Sequence, residues 1–221
     1  MSNPRISIPA TQSYLASFTQ NNISVISEFV TDLVVQMWYK HSDIQTGSPN
    51  FYPFCQKVIA RSEVEPPTIL LALKYIQRLK KYHPRITGEQ GSECRLFVIS
   101  LILAHKLLED YTYTNQTWSQ IARIPLEEIN HMEREFLISI QFNLHVSEEE
   151  YAQWLLYLEQ YLRYKEDPFL DSPRRLPSPT SAPAAFDFPT SKPTWSQFVC
   201  TTDPSPFGSG QTQISESFQN V

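Results

Sequence analysis

The sequence has no excess of positive charge and few cysteines, and it has no apolar run long enough to cross a membrane. The formal net charge at pH 7 is -5 and no Lys/Arg-rich stripe is present, which argues against a protein that binds nucleic acid through its phosphates. The three cysteines stand far apart, so a reducing compartment is expected rather than a disulfide framework. Neither a signal-peptide core nor a run of about 18 uncharged apolar residues occurs. We therefore expect a protein of the nucleus and cytoplasm that binds neither membrane nor nucleic acid.

Motifs for catalysis and metal binding are also missing. The sequence contains no glycine-rich phosphate loop, no G-x-S-x-G, no H-E-x-x-H and no C-x-x-C. No two of the five histidines lie three or four residues apart, so no metal site is predicted. His105, on an apolar stretch, is expected to be a core or edge residue rather than a catalytic base. We predict no catalytic residue and no cofactor.

Apolar residues at helical spacing, by contrast, are abundant over residues 21–165. From Leu96 to Leu108 only Ser100, His105 and Lys106 are not apolar. This run is too long for an ordinary strand, and it predicts a buried central helix at 96–110. Amphipathic stretches predict six further helices and no strand: 22–41, 51–62, 66–82, 117–123, 125–141 and 147–165. The fold class predicted is all-α, packed around the central helix.

Capping motifs indicate where three of these helices begin. Thr117-Trp118-Ser119-Gln120 and Ser147-Glu148-Glu149-Glu150 match the capping box, in which two side chains satisfy two backbone N–H groups at a helix start. Pro125 stands where a first helical position is expected, because its missing N–H costs little there.

Both ends of the chain differ in composition from the helical part. Residues 1–20 are rich in Ser, Thr, Asn and Gln and predict a flexible arm. Residues 166–221 predict a disordered tail, because nine of the seventeen prolines lie there, among Ser and Thr. Four aromatic residues of the tail are either scattered or part of a docking segment: Phe186, Phe188, Trp195 and Phe198. Three Ser-Pro pairs are candidate sites for a proline-directed kinase: Ser172, Ser178 and Ser205.

Lys106 is the residue of the central helix that needs an explanation. Its neighbours are apolar, so its ammonium must reach solvent or meet an acceptor, since an unpaired buried charge costs several kcal/mol. Spacing alone favours Glu109 and Asp110, three and four residues further along the same helix. The charge of Glu133 must likewise be satisfied. The local explanation is that its carboxylate contacts Arg134 or is exposed on the helix surface.

Two stretches resemble the cyclin box: PPTILLALKYIQRL and LILAHKLLEDYTYTNQTWSQIARIPLEEINHMEREFLISIQFNLHV. The likeness covers about residues 50–160 in matching helix order, and is specifically to the single-box fungal cyclins of the Pcl/Pho class. It implies a five-helix box around a central third helix, with an additional N-terminal helix at 22–41. It also implies a regulatory subunit that binds and activates a cyclin-dependent kinase and directs its choice of substrates. G1/S, morphogenesis and nutrient signalling are the implied settings.

The resemblance also assigns residues to the kinase contact. Lys106 and Glu133 match the pair with which the family holds main-chain groups at the mobile αC helix of the kinase. Apolar contacts to the same helix are implied for Leu107, Leu137 and Leu144. This implication replaces the local explanation of Lys106.

The chain departs from the family pattern at three points. Gln77 stands where two-box cyclins carry an Asp, which leaves the partner of Arg78 open. The helix at 51–62 has no run like MRxIL, so a docking groove for Arg-x-Leu substrates is not implied. No second helical box follows residue 165, which fits the Pcl/Pho class. The alternatives are a cyclin-fold module of the transcription-factor type, disfavoured by the acidic charge, and an all-helical enzyme, disfavoured by the missing motifs.

Overall fold

The computed structural model describes residues 22–39, 47–86 and 88–166. They form seven α-helices and no strand, so the all-α prediction is confirmed. The helices are α1 Ile23–Trp38, α2 Phe51–Ser62, α3 Pro66–Tyr82, α4 Ser92–Leu108, α5 Asn115–Ala122, α6 Leu126–Ser139 and α7 Glu148–Glu166. The predicted arm at 1–20, the tail from 167 onward and the three Ser-Pro candidates lie outside the described residues.

Helix α4 is the central helix, as its composition predicted. Every residue from Leu96 to His105 is buried, because α1, α2, α3, α5 and α6 all pack against it. A helix that is apolar on nearly every face has to be enclosed in this way. Its last three residues, from Lys106 to Leu108, emerge from the core, so the exposed end of α4 carries the lysine.

The bounds of α4 differ from the predicted 96–110 at both ends. The helix begins at Ser92, four residues early, after Gly91 in a left-handed conformation with φ 96°. Ser92 and Glu93 are fully buried, and polar residues of this kind remain inside only when they are hydrogen-bonded. The helix ends at Leu108, so Glu109 is already extended backbone.

Two of the three predicted helix starts needed correction. The Thr117 capping box is wrong, because α5 begins at Asn115 and the hydroxyl of Thr114 accepts the N–H of Thr117 at 3.2 Å. Pro125 is the residue before α6 rather than its first. The Ser147 cap is confirmed, since its hydroxyl accepts the N–H of Glu150 at 3.2 Å.

A buried charged cluster joins α3 to the start of α7. Lys74 and Arg78 are 5% and 4% exposed, and their nitrogens lie 3.1 and 2.8 Å from the two carboxylate oxygens of Glu150. Arg78 also donates to the main-chain oxygens of Asn143 and His145, at 2.5 and 3.0 Å. Arg78 therefore has an acidic partner, and it comes from α7 rather than from α3. The same contacts hold the segment between α6 and α7 in place.

Candidate functional site

An ion pair joins the exposed end of α4 to the middle of α6. The Nζ of Lys106 lies 2.6 Å from Oε1 of Glu133, and the two side chains are 33% and 17% exposed. The local explanation of Lys106 is wrong, because α4 ends before Glu109 and the carboxylate of Glu109 accepts the hydroxyl of Thr68 at 3.3 Å. The two residues assigned by resemblance thus stand together at the surface.

The second oxygen of Glu133 accepts a hydrogen bond from Asn115, which also donates to Asn130, and sequence reasoning missed both asparagines. The side-chain nitrogen of Asn115 donates to Oε2 of Glu133 at 2.7 Å and to Oδ1 of Asn130 at 2.8 Å. Asn115 is the first residue of α5, and Asn130 lies three residues before Glu133 on α6. Each carboxylate oxygen of Glu133 therefore has a partner within the chain. Only the three-residue spacing of Asn130 and Glu133 on one helix could have pointed to this group.

Exposed leucines directly follow Lys106 in the sequence. Leu107 is 49% exposed, whereas Leu137 and Leu144 are partly buried and pack against the core. The structure adds three exposed apolar residues that the sequence did not single out: Leu108 at 48%, Tyr111 at 94% and Phe142 at 64%. Burying such residues in an interface is favourable. The order Leu107-Leu108 directly after Lys106 was the available signal for the first of these three residues.

His105 supports the last turn of α4 from the inside. The residue is 5% exposed; its ring stacks on Tyr113 at 4.9 Å and meets Trp118 edge-on at 5.5 Å. Burial lowers the pKa of His105, although the nearby Glu109 opposes that shift, so the ring is neutral at pH 7. The interpretation of His105 as a core or edge residue is confirmed, but its buried Nδ1 has no hydrogen-bond partner in the described part of the chain. His105, Tyr113 and Trp118 form an aromatic group, and its member His105 directly precedes Lys106 in the chain.

The ion pair can bind both polar groups of a peptide main chain. An ammonium group carries three N–H donors and a carboxylate has about four acceptor positions. The contacts within this chain use one donor of Lys106 and one position on each oxygen of Glu133. The remaining donors suit carbonyl oxygens, and the remaining acceptor positions suit N–H groups. Hydrogen bonds to charged groups are shorter and roughly twice as strong as neutral ones.

Comparison with known proteins identifies the fold to which this site belongs. The family model described as Cyclin matches residues 8–144. The chain belongs to the cyclin family. It is 26% identical over 122 residues to Cyclin-P4-1 of Oryza sativa subsp. japonica, covering 55% of this chain and 58% of that protein. It is 32% identical over 111 residues to the G1/S-specific cyclin pas1 of Schizosaccharomyces pombe, covering 47% of this chain and 26% of that protein.

The budding-yeast relatives of this cyclin support the narrower resemblance to the Pcl/Pho class. PHO85 cyclin-5 of Saccharomyces cerevisiae is 26% identical over 135 residues, covering 59% of this chain and 58% of that protein. The chain therefore spans less than two thirds of the length of each of these three relatives. Within the described part of the chain, no helix is long and apolar enough to cross a membrane. Nor do residues 22–39, 47–86 and 88–166 bring together three or more His, Cys, Asp or Glu residues that could hold a metal ion.

Proposed function

We propose that this cyclin is a regulatory subunit that binds and activates a cyclin-dependent kinase and catalyses no reaction itself. The observation that carries the proposal is the Lys106–Glu133 ion pair, which stands partly exposed at the surface, with the exposed Leu107 next to Lys106 in the sequence. Relatives named as PHO85 cyclins support a kinase partner of that kind. Lys106 and Glu133 bind main-chain groups of the kinase αC helix, and the apolar contact area comes from Leu107, Leu137 and Leu144.

Activation follows if the cyclin binds one conformation of the kinase better than the other. A kinase is active when its Lys–Glu pair and its metal-binding Asp are aligned, which requires the αC helix to be turned inward. A partner with higher affinity for the inward state shifts the population towards it by the difference in binding free energy. The ion pair determines the orientation of the bound helix, and the leucines contribute the buried area. Directed substrate choice is part of this proposal, since the bound cyclin lies beside the kinase cleft.

Charge reversal tests the proposal at the ion pair. We expect Lys106→Glu and Glu133→Lys each to weaken kinase binding by about 100-fold or more, because each leaves a half-buried charge facing its like. Biolayer interferometry with the purified kinase measures the affinity, and phosphorylation of a model substrate measures activation. The matched control is Arg134→Glu, which reverses an exposed charge on the same helix and should leave binding within about twofold.

The double variant separates a kinase contact from a purely internal role. Lys106→Glu combined with Glu133→Lys rebuilds an ion pair within the cyclin but presents reversed charges to the kinase. Binding should stay lost while the free energy of unfolding recovers towards wild type. If the double variant bound and activated the kinase normally, the pair would serve only the fold of the cyclin, and the proposed contact would be wrong.

We also propose in which cellular compartments this cyclin is found. A cyclin that acts with such a kinase is expected in both the nucleus and the cytoplasm. Fluorescence microscopy of a tagged full-length chain tests this expectation, and confinement of the protein to any other compartment would contradict it.

A further inference from the structure

We propose that Asn115 and Asn130 are positioning residues that hold the Glu133 carboxylate in the orientation needed for the kinase. This inference rests on the proposed function and names how its main acidic contact is kept in place. The three side chains come from two helices: Asn115 begins α5, and Asn130 and Glu133 lie one turn apart on α6.

The hydrogen bonds leave Asn115 no second orientation. A side-chain amide nitrogen has two N–H groups, and here one points to Oε2 of Glu133 at 2.7 Å and the other to Oδ1 of Asn130 at 2.8 Å. If the amide were rotated by 180°, its oxygen would face two other oxygens without a donor. Asn130 therefore orients Asn115, and Asn115 in turn orients the carboxylate.

The carboxylate is held from both sides as a consequence. Lys106 donates to Oε1 at 2.6 Å, so the two donors come from α4 and α5 while Glu133 itself comes from α6. Rotation of the carboxylate about its terminal bond would lengthen both hydrogen bonds at once. Its remaining acceptor positions are thus directed before any partner arrives, and such preorganisation lowers the entropic cost of binding.

A second observation argues against a role in stability alone. The Oδ1 atom of Asn115 is buried and accepts no hydrogen bond within the described part of the chain. Burying an amide oxygen in this way costs free energy, since it loses its hydrogen bonds to water. A residue chosen only for packing at this position would avoid that cost, because Ala buries no polar group and suits a helix whose start is already capped by Thr114. The amide nitrogen is the group that Asn115 supplies and Ala lacks.

The test is a double-mutant cycle on kinase affinity with the full-length chain. We expect Asn115→Ala to weaken binding by about tenfold in the wild-type background, and by less than about twofold in the Glu133→Ala background. Asn115→Asp should weaken binding more than Asn115→Ala, because it replaces the donor with a negative charge facing Glu133. Asn130→Ala should give a smaller loss in the same direction. Gln116→Ala, at the exposed neighbouring position of α5, is the matched control.

The outcomes separate this inference from the proposed function. If Glu133→Ala itself leaves the affinity unchanged, the kinase contact at Glu133 is wrong. If Glu133→Ala weakens binding but Asn115→Ala does not, or weakens it equally in both backgrounds, the positioning role is refuted. Far-ultraviolet circular dichroism checks that each variant folds. Should Asn115→Ala fail to fold, the cycle between Asn130→Ala and Glu133→Ala decides in the same way.

Discussion

Arg78 shows how a single residue of the core can control a distant part of the surface. Its guanidinium reaches the carboxylate of Glu150 and the main-chain oxygens of Asn143 and His145. Arginine suits this task because its donors are arranged in a planar fork. The segment it holds also contains Leu144, whose carbonyl accepts the hydroxyl of Tyr75 at 3.0 Å. One buried side chain thus determines where an expected kinase contact lies.

Arg78→Met should destabilise the fold and alter its response to acid. We expect a loss of about 2–4 kcal/mol in the free energy of unfolding at pH 7, because two carbonyl groups lose their donor and Glu150 loses one of its two cationic partners. In the wild type, burial would raise the pKa of Glu150, but hydrogen bonds from Arg78 and Lys74 outweigh it and lower the pKa below 4.5. A carboxyl group whose pKa is lower in the folded than in the unfolded state stabilises the fold at pH values above its unfolded pKa. This stabilisation is lost as the pH falls through the folded pKa.

Urea unfolding across a pH series tests both parts of this prediction. The wild type should lose stability as the pH falls below the ordinary glutamate range, and Arg78→Met should lose less of it over the same interval. Lys81→Met is the control, since it removes an exposed charge from the same helix. Equal acid sensitivity in Arg78→Met and the wild type would rule out the assigned role of Glu150.

Sequence reasoning at this scale succeeded where a family pattern existed and failed where partners come from separate helices. Lys106 and Glu133 were named from resemblance, and the structure brings them together. The spacing argument favours Glu109 and Asp110 as partners of Lys106, because it assumes that the helix continues past Leu108. Asn115 and Glu150 could not be predicted as partners, since hydrogen bonds between helices leave no periodic signal in the chain.

At the scale of elements, helix α1 is joined to the start of α4 by buried polar contacts. The indole N–H of Trp38 donates to the hydroxyl of Ser92 at 2.8 Å, and the hydroxyl of Tyr39 donates to Glu93. Burial raises the pKa of Tyr39, and Glu93 raises it further, so this hydroxyl stays protonated and remains a donor. The same contacts explain why α4 begins at Ser92. The apolar pattern of the sequence indicates only where the hydrophobic part of α4 begins, at Leu96.

Ser92→Ala should loosen α1 without removing apolar packing. The substitution removes the hydroxyl that accepts the buried N–H of Trp38 at 2.8 Å, which costs about 1–3 kcal/mol in the free energy of unfolding. Hydrogen exchange measured by mass spectrometry should show faster exchange in α1 than in α6, because the lost contact belongs to α1. The matched control is Ser100→Ala, also buried in α4, whose hydroxyl bonds to Phe97 of its own helix at 2.8 Å. Faster exchange of both helices to the same degree would contradict a contact specific to α1.

At the scale of the whole molecule, the number, order and type of the helices in the described residues could be predicted, and their ends less well. Long periodic stretches determine that a helix exists, whereas its ends depend on single caps and on residues distant in sequence. Thr114 displaced the predicted Thr117 cap by three residues, because α5 could start one turn earlier. Helix α7 returns to α1, where Lys165 pairs with Asp32 and Tyr161 meets Phe29 at 6.4 Å. No sequence pattern predicted that return.

Three Ser-Pro pairs follow α7 in the sequence, and Ser172 is the nearest, six residues after the end of the helix. A kinase bound at the Lys106–Glu133 site is held on the same chain that carries these serines. Such tethering raises the effective concentration of a substrate for the bound enzyme. We therefore propose that the bound kinase phosphorylates Ser172, with Ser178 and Ser205 as weaker sites, and that the added charge marks the cyclin for turnover.

Replacing Ser172 and Ser178 together by Ala should lengthen the half-life of the protein after translation is stopped, whereas Ser196→Ala, which has no following proline, should not. Glu133→Lys should reduce phosphorylation of the intact tail, because it removes the kinase without changing its target. Phosphate-affinity electrophoresis and a translation-block chase measure the two effects separately. An unchanged half-life in the double-alanine chain would overturn the link to turnover. Full phosphorylation in Glu133→Lys would mean that a different kinase acts on the tail, since a kinase held only at the ion pair cannot modify a chain it does not bind.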